Sequence, residues 1–270
     1  MKTRAFAYPY LAWMTLFVIA PIILVVVYAF SAAGGGFTFS NFSGIAAYSA
    51  VFLRSFALAG IATAACLLLG YPLAYVLSKE KPRLQRVLVM LIMLPMWMNF
   101  LLRTYALMTI LENTGLLNKF LALLGLPQLN IINTPGAVVI GMVYNYLPFM
   151  VLPIYSVIVK LDRSLIEAAQ DLGASPDRCF TRVVFPLSLP GILSGITMVF
   201  VPAVSTFVIS QLLGGGKSMM LGDLIEMEFL GTSYNPHLGS AIALVMMIVV
   251  VICMRLMNKF GSGEEQAVIL

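Results

Sequence analysis

Long apolar stretches, separated by short polar breaks, dominate the pattern of residues along this chain. A helix that crosses a bilayer needs about 20 predominantly apolar residues. By this length the chain divides into predicted spans at about 8–30, 53–78, 87–111, 136–159, 183–213 and 239–257. Glycine, proline, asparagine and charged residues mark the breaks, as at Gly34-Gly35-Gly36 and Lys79-Glu80-Lys81-Pro82-Arg83. The pattern predicts an all-α integral membrane protein with six transmembrane helices, residues 1–270 forming a single transmembrane domain.

Composition supports this class, and the distribution of charge predicts an orientation. Apolar residues make up 61% of the chain and charged residues only 10%, whereas about a quarter of the residues in soluble domains are charged. Lysine and arginine are retained on the cytoplasmic side of short loops. Twelve of the sixteen cations fall on one side, which we therefore assign to the cytoplasm: Lys2, Arg4, Lys79, Lys81, Arg83, Arg86, Lys160, Arg163, Arg178, Arg182, Arg255 and Lys259. Both termini are then cytoplasmic, and the basic charge reflects topology and does not indicate nucleic-acid binding.

Groups that catalyse reactions or bind metals are sparse. The single histidine, His237, lies in a predicted outer loop, and the three cysteines are far apart without a metal-ligand spacing. Gly214-Gly215-Gly216-Lys217-Ser218 resembles the end of a phosphate-binding loop, but that motif requires a glycine at the position of Gln211 and a preceding strand. The sequence therefore predicts no catalytic residue, no metal site and no cofactor, so energy from ATP would have to enter through another polypeptide.

The loop at about 160–182, between the fourth and fifth predicted spans, is the only long charge-rich loop. In it Glu167-Ala168-Ala169 gives a short helix a face with little side-chain bulk, which a partner protein can approach closely. Gly173 permits the left-handed turn that ends this helix. Ser164, three residues before Glu167, predicts a capping box, and this structural role of Glu167 is an alternative to partner contact. Ser175-Pro176-Asp177 predicts the start of a second short helix.

The order Glu167-Ala168-Ala169, three residues, Gly173, nine residues, then Val183 with Phe185-Pro186 resembles the EAA loop of binding-protein-dependent ABC importer permeases. That family has isoleucine and leucine where this chain has Val183 and Phe185. Six spans with the loop between the fourth and fifth match the same family. The resemblance implies a cytoplasmic coupling helix that docks in a cleft of a cytosolic ATPase subunit through Glu167, Ala168, Ala169, Asp171, Gly173, Ala174 and Pro186.

The same resemblance implies the remaining partners and the location. It predicts a second homologous permease subunit, two cytosolic ATPase subunits and an extracytoplasmic solute-binding protein, all assembled at the cytoplasmic (inner) membrane. The chain itself would not hydrolyse ATP. Segments 94–105, 113–118, 144–150 and 172–175 narrow the resemblance to the permeases of spermidine/putrescine importers, which implies polyamine cargo. Such permeases can carry an acid at the position of Gln211, and its replacement here weakens the expectation that this position holds an ammonium group.

A polyamine path needs aromatic faces around the methylene chain and carboxylates near the ammonium ends, because each cation–aromatic contact contributes about 0.5 to 2 kcal/mol. Tryptophan and tyrosine also occur in interfacial belts and helix contacts, so packing is the alternative for each aromatic candidate. Pro148, Pro190 and Pro202 remove backbone hydrogen bonds at membrane depth, which places the path along the third to fifth spans; simple kinks are the alternative. The candidates are Trp97, Tyr105, Glu112, Tyr144, Asn145, Tyr146, Asp223 and Glu226.

All three of these acids have further alternatives, and other classes of protein remain open. Glu112 also fits a simple outer helix terminus, and Arg103, nine residues earlier, lies half a turn out of phase with it. Asp223 and Glu226 fit either cation attraction or salt bridges to a docking solute receptor. An ABC permease for another small solute is the first alternative function. An ion-coupled secondary transporter would show internal repeats and intramembrane acids, and a membrane-embedded enzyme would show clustered catalytic groups.

Overall fold

The computed structural model describes residues 7–32, 34–231 and 234–265. Within these residues the regular structure is helical, apart from one isolated bridge between Ser31 and Phe37. Apolar runs form helices in a bilayer because each backbone group must find its hydrogen-bond partner within the segment. The helices are α1 (Ala7–Met14, Thr15–Ile19 and Ala20–Ala29), α2 (Ser49–Lys79), α3 (Pro82–Trp97), α4 (Phe100–Leu111), α5 (Leu116–Leu123), α6 (Pro135–Ile158), α7 (Arg163–Asp171), α8 (Pro176–Ser205), α9 (Val208–Gly214), α10 (Leu221–Leu230) and α11 (Pro236–Glu265).

The predicted all-α membrane architecture is confirmed. In the described part of the chain, α1, α2, α6, α8 and α11 are long and apolar enough to cross a membrane, and the bent pair of α3 with Phe100–Leu123 brings the number to six. Short helical turns at Ser40–Ser43 and Gly44–Tyr48 lead into α2. Two segments, Thr15–Ile19 in α1 and Phe180–Val184 in α8, have π-helical hydrogen bonding.

Two spans differ from the sequence expectation. The third, expected as one helix at 87–111, bends by 93° between α3 and α4. Asn99 causes the new start, because its side-chain oxygen accepts hydrogen bonds from the backbone N–H groups of Leu101 and Leu102 at 2.9 and 3.3 Å. The fifth, expected at 183–213, ends at Ser205, and Thr206 has an extended backbone before α9 begins.

The core lies where α2, α6 and α8 pack together, and glycines allow their backbones to approach closely. A Cβ on Gly191 would lie 2.9 Å from the carbonyl oxygen of Pro153, and one on Gly195 would lie 2.7 Å from the sulfur of Met150. Such small residues let membrane helices pack by van der Waals contact, since lipid provides no hydrophobic drive between helices. A smaller cluster of Ala29, Ala241 and Leu244 joins α1 to α11. The α2–α6–α8 unit is therefore the rigid centre of the domain.

The short helices α9 and α10 are fixed to this centre by polar contacts. The backbone N–H of Leu221 donates to the hydroxyl of Ser55 at 2.8 Å. Gly222 lies against the carbonyl groups of Ser205 and Thr206, where an added Cβ would be 2.5 Å from each oxygen. The break after α8 is thus filled by the start of α10, which brings the side chains of α9 and α10 together.

Candidate coupling elbow and solute pathway

The segment 163–179, which we call the elbow, contains α7 and the first turn of α8. Its helix begins two residues earlier than predicted: Asp162 is the N-cap, and its Oδ1 atom accepts a hydrogen bond from the backbone N–H of Ser164 at 2.9 Å. This bond lowers the pKa of Asp162 from its ordinary value. The predicted capping box of Ser164 with Glu167 is therefore wrong, because Asp162 already caps the helix. Glu167 has no capping role that would explain its presence.

Gly173 ends α7 in a left-handed turn, as expected from its position. Its φ is +80°, its N–H donates to the carbonyl of Gln170 at 2.8 Å, and the N–H of Ala174 donates to the carbonyl of Ala169 at 3.0 Å. A Cβ added to Gly173 would meet no atom within 4 Å. Backbone conformation rather than space therefore requires glycine here.

Four of the predicted coupling residues are exposed to solvent in this chain. Glu167, Ala168, Asp171 and Gly173 are exposed, while Ala169, Ala174 and Pro186 are half-buried. Pro186 lies within α8, beyond the π-helical segment, and not on the elbow itself. The sequence analysis missed Leu172, which is 90% exposed at the end of α7. The only signal in the sequence was the position of this leucine, directly before the glycine that ends the helix.

The inner side of the elbow encloses a cleft of about 660 Å³ between α7, the start of α8 and the α2–α3 turn. Glu167 and Gln170 line it together with Tyr75 and Phe180. The ring of Phe180 lies 4.9 Å from that of Tyr75 and 5.8 Å from that of Tyr71, both at steep edge-to-face angles. Aromatic pairs of this geometry are favourable. Phe180, the residue that directly follows the elbow, is thus packed against α2.

A second cavity, of about 340 Å³, lies between α9 and α10 and contains the two predicted acids. Asp223 and Glu226 line it from α10, and Ser210 and Gln211 line it from α9. The Nε2 atom of Gln211 donates to a carboxylate oxygen of Glu226. Sequence analysis placed these acids in an outer loop, and only the packing of two short helices brings them to Ser210 and Gln211.

Asp223 is buried, and its two oxygens have different surroundings. Oδ2 accepts a hydrogen bond from the backbone N–H of Met220 at 2.7 Å, whereas Oδ1 has no partner among the described residues. Burial raises the pKa of Asp223 to about 6; the hydrogen bond from the backbone N–H of Met220 opposes this rise, and the charge of Glu226 adds to it. The open oxygen can accept a hydrogen bond from a cationic group that enters the cavity.

The remaining candidates do not share this cavity. Trp97, Tyr105 and Tyr144 are exposed by 73%, 48% and 42%, respectively. The side-chain amide of Asn145 donates to the carbonyl of Gly141 at 2.8 Å within α6, and its oxygen has no partner in the described structure. The three aromatic side chains are therefore on the surface of this chain, whereas Asn145 is buried within it.

Two candidates have structural contacts. The Tyr146 hydroxyl is 3.5 Å from the carbonyl oxygen of Pro202 in α8. Glu112 follows α4, and its backbone carbonyl accepts hydrogen bonds from Gly115 at 2.8 Å and from the Asn118 amide at 3.4 Å. Glu112 therefore belongs to the α4–α5 turn, as its helix-terminus alternative stated.

The raised pKa of Asp223 predicts how thermal stability depends on pH. Because its folded-state pKa of about 6 exceeds its ordinary value of 3.8, the folded protein binds this proton more tightly than the unfolded chain does. The resulting stabilisation is complete below the ordinary value and is lost as pH rises through about 6. We expect the Tm of the wild-type protein, measured in detergent from pH 4 to pH 8, to fall as the pH rises through about 6. The Tm of Asp223→Asn should lack this fall. Asp171→Asn, which changes an exposed acid, should keep the fall of Tm. If the Tm of Asp223→Asn falls with pH in parallel with that of wild type, Asp223 is not its cause.

The fold defines a polytopic helical membrane protein, and solved structures share it. A bacterial importer of the acidic polysaccharide alginate matches with a TM-score of 0.81 at 16% identity, covering 96% of this chain and 94% of the other. The MetNI methionine ABC transporter matches with a TM-score of 0.55 at 17% identity, covering 82% and 95%. At these identities the likeness establishes the fold alone.

Sequence comparison gives the family. Residues 66–260 match the family described as binding-protein-dependent transport system inner membrane component, and the chain belongs to it. The spermidine/putrescine transport system permease protein PotB of Haemophilus influenzae is 41% identical over 86% of this chain and 85% of its own length. PotB of Escherichia coli K12 is 39% identical over 92% and 96%. The chain is therefore an inner-membrane component of an ABC importer and not an enzyme, since a separate subunit hydrolyses ATP.

Proposed function

We propose that this chain is a permease subunit that moves polyamines, spermidine and putrescine, from an extracytoplasmic solute-binding protein into the cytoplasm. One observation carries the proposal: the identity of 39–41% to two spermidine/putrescine permeases extends over most of each chain. ATP binding and hydrolysis by two partner ATPases would drive alternating access, and a second permease would complete the path. Both termini and the elbow would face the cytoplasm.

The cavity between α9 and α10 supports a cationic cargo. It places two carboxylates, Asp223 and Glu226, on one helix face, as expected for residues three apart. An ammonium group has three N–H donors and no acceptor, so it can bond to the open Oδ1 atom of Asp223. Aromatic faces at Trp97, Tyr105 and Tyr144 would hold the methylene chain elsewhere on the path.

The elbow supports the coupling role. Its outer surface combines small residues, Ala168 and Ala169, with the exposed apolar side chain of Leu172. Such a surface can insert into a cleft of an ATPase subunit without steric conflict. The edge-to-face contacts of Phe180 with Tyr71 and Tyr75 would carry the motion of the elbow to α2.

A different small solute is the second candidate, and one contact favours it. The amide of Gln211 already bonds to Glu226, whereas the buried Oδ1 atom of Asp223 has no partner among the described residues. A cargo with a single cationic group would fit one open carboxylate. Competition between solutes separates the two candidates, because only a polyamine permease prefers spermidine or putrescine over a monoamine of similar size.

The test is uptake by the assembled importer. We expect the purified complex in proteoliposomes to accumulate radiolabelled spermidine or putrescine only with ATP and the solute-binding protein. Removing a charge-assisted hydrogen bond costs about 1.5 to 3 kcal/mol, so Asp223→Asn should lower the uptake kcat/KM about tenfold or more. Glu228→Gln, an acid of α10 outside the cavity, should have less than a twofold effect. ATP-independent uptake, or equal loss in both variants, would contradict the proposal.

A further inference from the structure

The 93° bend between α3 and α4 is held by residues from both helices. On the α4 side, Asn99 caps the helix through hydrogen bonds to the N–H groups of Leu101 and Leu102. On the α3 side, the carbonyl of Pro95 accepts a hydrogen bond from the N–H of Met98 at 3.2 Å. The last carbonyl groups of a helix have no partner within that helix, so a bend at this point must supply donors from elsewhere.

Arg103 supplies one of these donors from the opposite side of the bend. It lies in the first turn of α4, and its Nη1 atom donates to the carbonyl oxygen of Pro95 at 2.8 Å. One guanidinium therefore connects the end of α3 to the start of α4. Its positive charge also lies at the negative end of the α3 dipole, where a cation is favourable. The sequence analysis left Arg103 without a role beyond its phase relative to Glu112.

The cost of burying this side chain indicates that it has a specific role. Arg103 is only 6% exposed, and its Nε atom has no hydrogen-bond partner within the described residues. The rings of Phe100 and Tyr144 lie nearby, each with its centroid 5.9 Å from the guanidinium carbon. Buried charges in membrane helices are expensive and mark functional sites more often than packing does. A planar guanidinium can bond to a carbonyl in its plane while its faces lie against aromatic rings, a geometry that the compact ammonium of lysine does not reproduce.

We propose that Arg103 is a positioning residue that holds the bend and thereby fixes the aromatic side chains beside it. Trp97 is the last residue of α3, two positions after Pro95, so the angle of the bend determines where its ring points. Tyr144 contacts the guanidinium directly. If the guanidinium is removed, the Pro95 carbonyl loses a donor, the bend relaxes, and both rings leave their places along the path. The consequence for transport rests on the proposed function, whereas the consequence for Trp97 does not.

The first test reads the position of Trp97 in the intact importer. The chain has two tryptophans, Trp13 and Trp97, so 5-fluorotryptophan labelling with a Trp97→Phe variant assigns the ¹⁹F resonance of Trp97. We expect Arg103→Gln and Arg103→Lys to shift this resonance. Arg54→Gln is the matched control, because Arg54 also donates to a backbone carbonyl, that of Lys217, at 3.1 Å. An unchanged resonance in Arg103→Gln, or an equal shift in Arg54→Gln, would overturn the proposal.

The second test measures uptake by the same complexes. We expect both Arg103 variants to lower the maximal rate of spermidine uptake at least tenfold while the ATPase subunits still co-purify, and Arg54→Gln to change it less than twofold. Arg103→Lys keeps the charge and carries the test alone if Arg103→Gln does not assemble. Uptake by Arg103→Lys at the wild-type rate would overturn the proposal, since charge alone would then suffice. If wild type transports no polyamine, the proposed function fails, and the ¹⁹F shift still decides the role of Arg103.

Discussion

Replacement of Gly173 by valine is expected to abolish solute uptake while the permease still inserts into the membrane. Gly173 has a φ of +80° at the end of α7. A β-branched residue is a steric outlier in this conformation. The strained turn would change the direction in which the chain leaves α7 and would displace Leu172 and Ala174 from the docking surface. Uptake by reconstituted importer and the amount of protein in the membrane fraction measure the two parts of this prediction.

Gly125 is the matched control for this substitution. It follows the end of α5 with a φ of +71°, and a Cβ there would also meet no atom within 4 Å. Gly125→Val therefore introduces similar backbone strain at a helix end far along the chain from the elbow. We expect it to reduce uptake no more than about twofold. Similar loss of uptake in both variants would show that strain alone, and not the elbow, accounts for the effect of Gly173→Val.

Replacement of Gly191 by valine is expected to prevent most of the permease from folding. A Cβ at this position would lie 2.9 Å from the carbonyl oxygen of Pro153 and 3.1 Å from the Cα of Ile154. Both contacts are with the backbone of α6, which cannot move aside as a flexible side chain can. Overpacking of a well-packed core typically costs about 1 to 3 kcal/mol and occasionally more, and the larger side chain must separate α8 from α6. Recovery of monodisperse protein in detergent and its Tm measure the loss.

Gly60 provides the comparison on a neighbouring helix. It lies within α2, and a Cβ there would meet no atom within 4 Å. Glycine is a poor helix former, about 1 kcal/mol less favourable than alanine, so Gly60→Val should leave the recovery and the Tm close to those of wild type. A Tm for Gly191→Val within one or two degrees of that of Gly60→Val would argue against close α6–α8 packing.

Most helices could be predicted from the sequence because each depends on a local run of residues. The third and fifth spans could not be predicted in detail. Hydropathy continues across Asn99 and across Thr206, so composition alone shows no interruption at either point. The breaks depend on a cap at Asn99 and on Gly222 filling the space beside Thr206. Neither hydrogen bonds nor close packing appear in a hydropathy pattern.

The candidate sites also contain some features that the sequence could predict and others that it could not. The left-handed turn at Gly173 could be predicted because this glycine directly follows a short helix. Glycine is the residue that most often ends helices in this backbone conformation. The cap at Asp162 was missed because Ser164 offered an equally good local pattern. The cavity of Asp223 and Glu226 depends on the packing of α10 against α9, which no local pattern encodes.

By itself, the sequence determined that this protein is helical and lies in a membrane, where its elbow helix α7 ends, and which family it resembles. The helical membrane architecture follows from local sequence because each apolar segment in lipid must satisfy its own backbone hydrogen bonds. Only the tertiary structure decided that Arg103 bonds to Pro95 across a bend, and that Gln211 bonds to Glu226. Such contacts join side chains whose distance is set by how separate helices pack, so they exist only after the bundle has assembled.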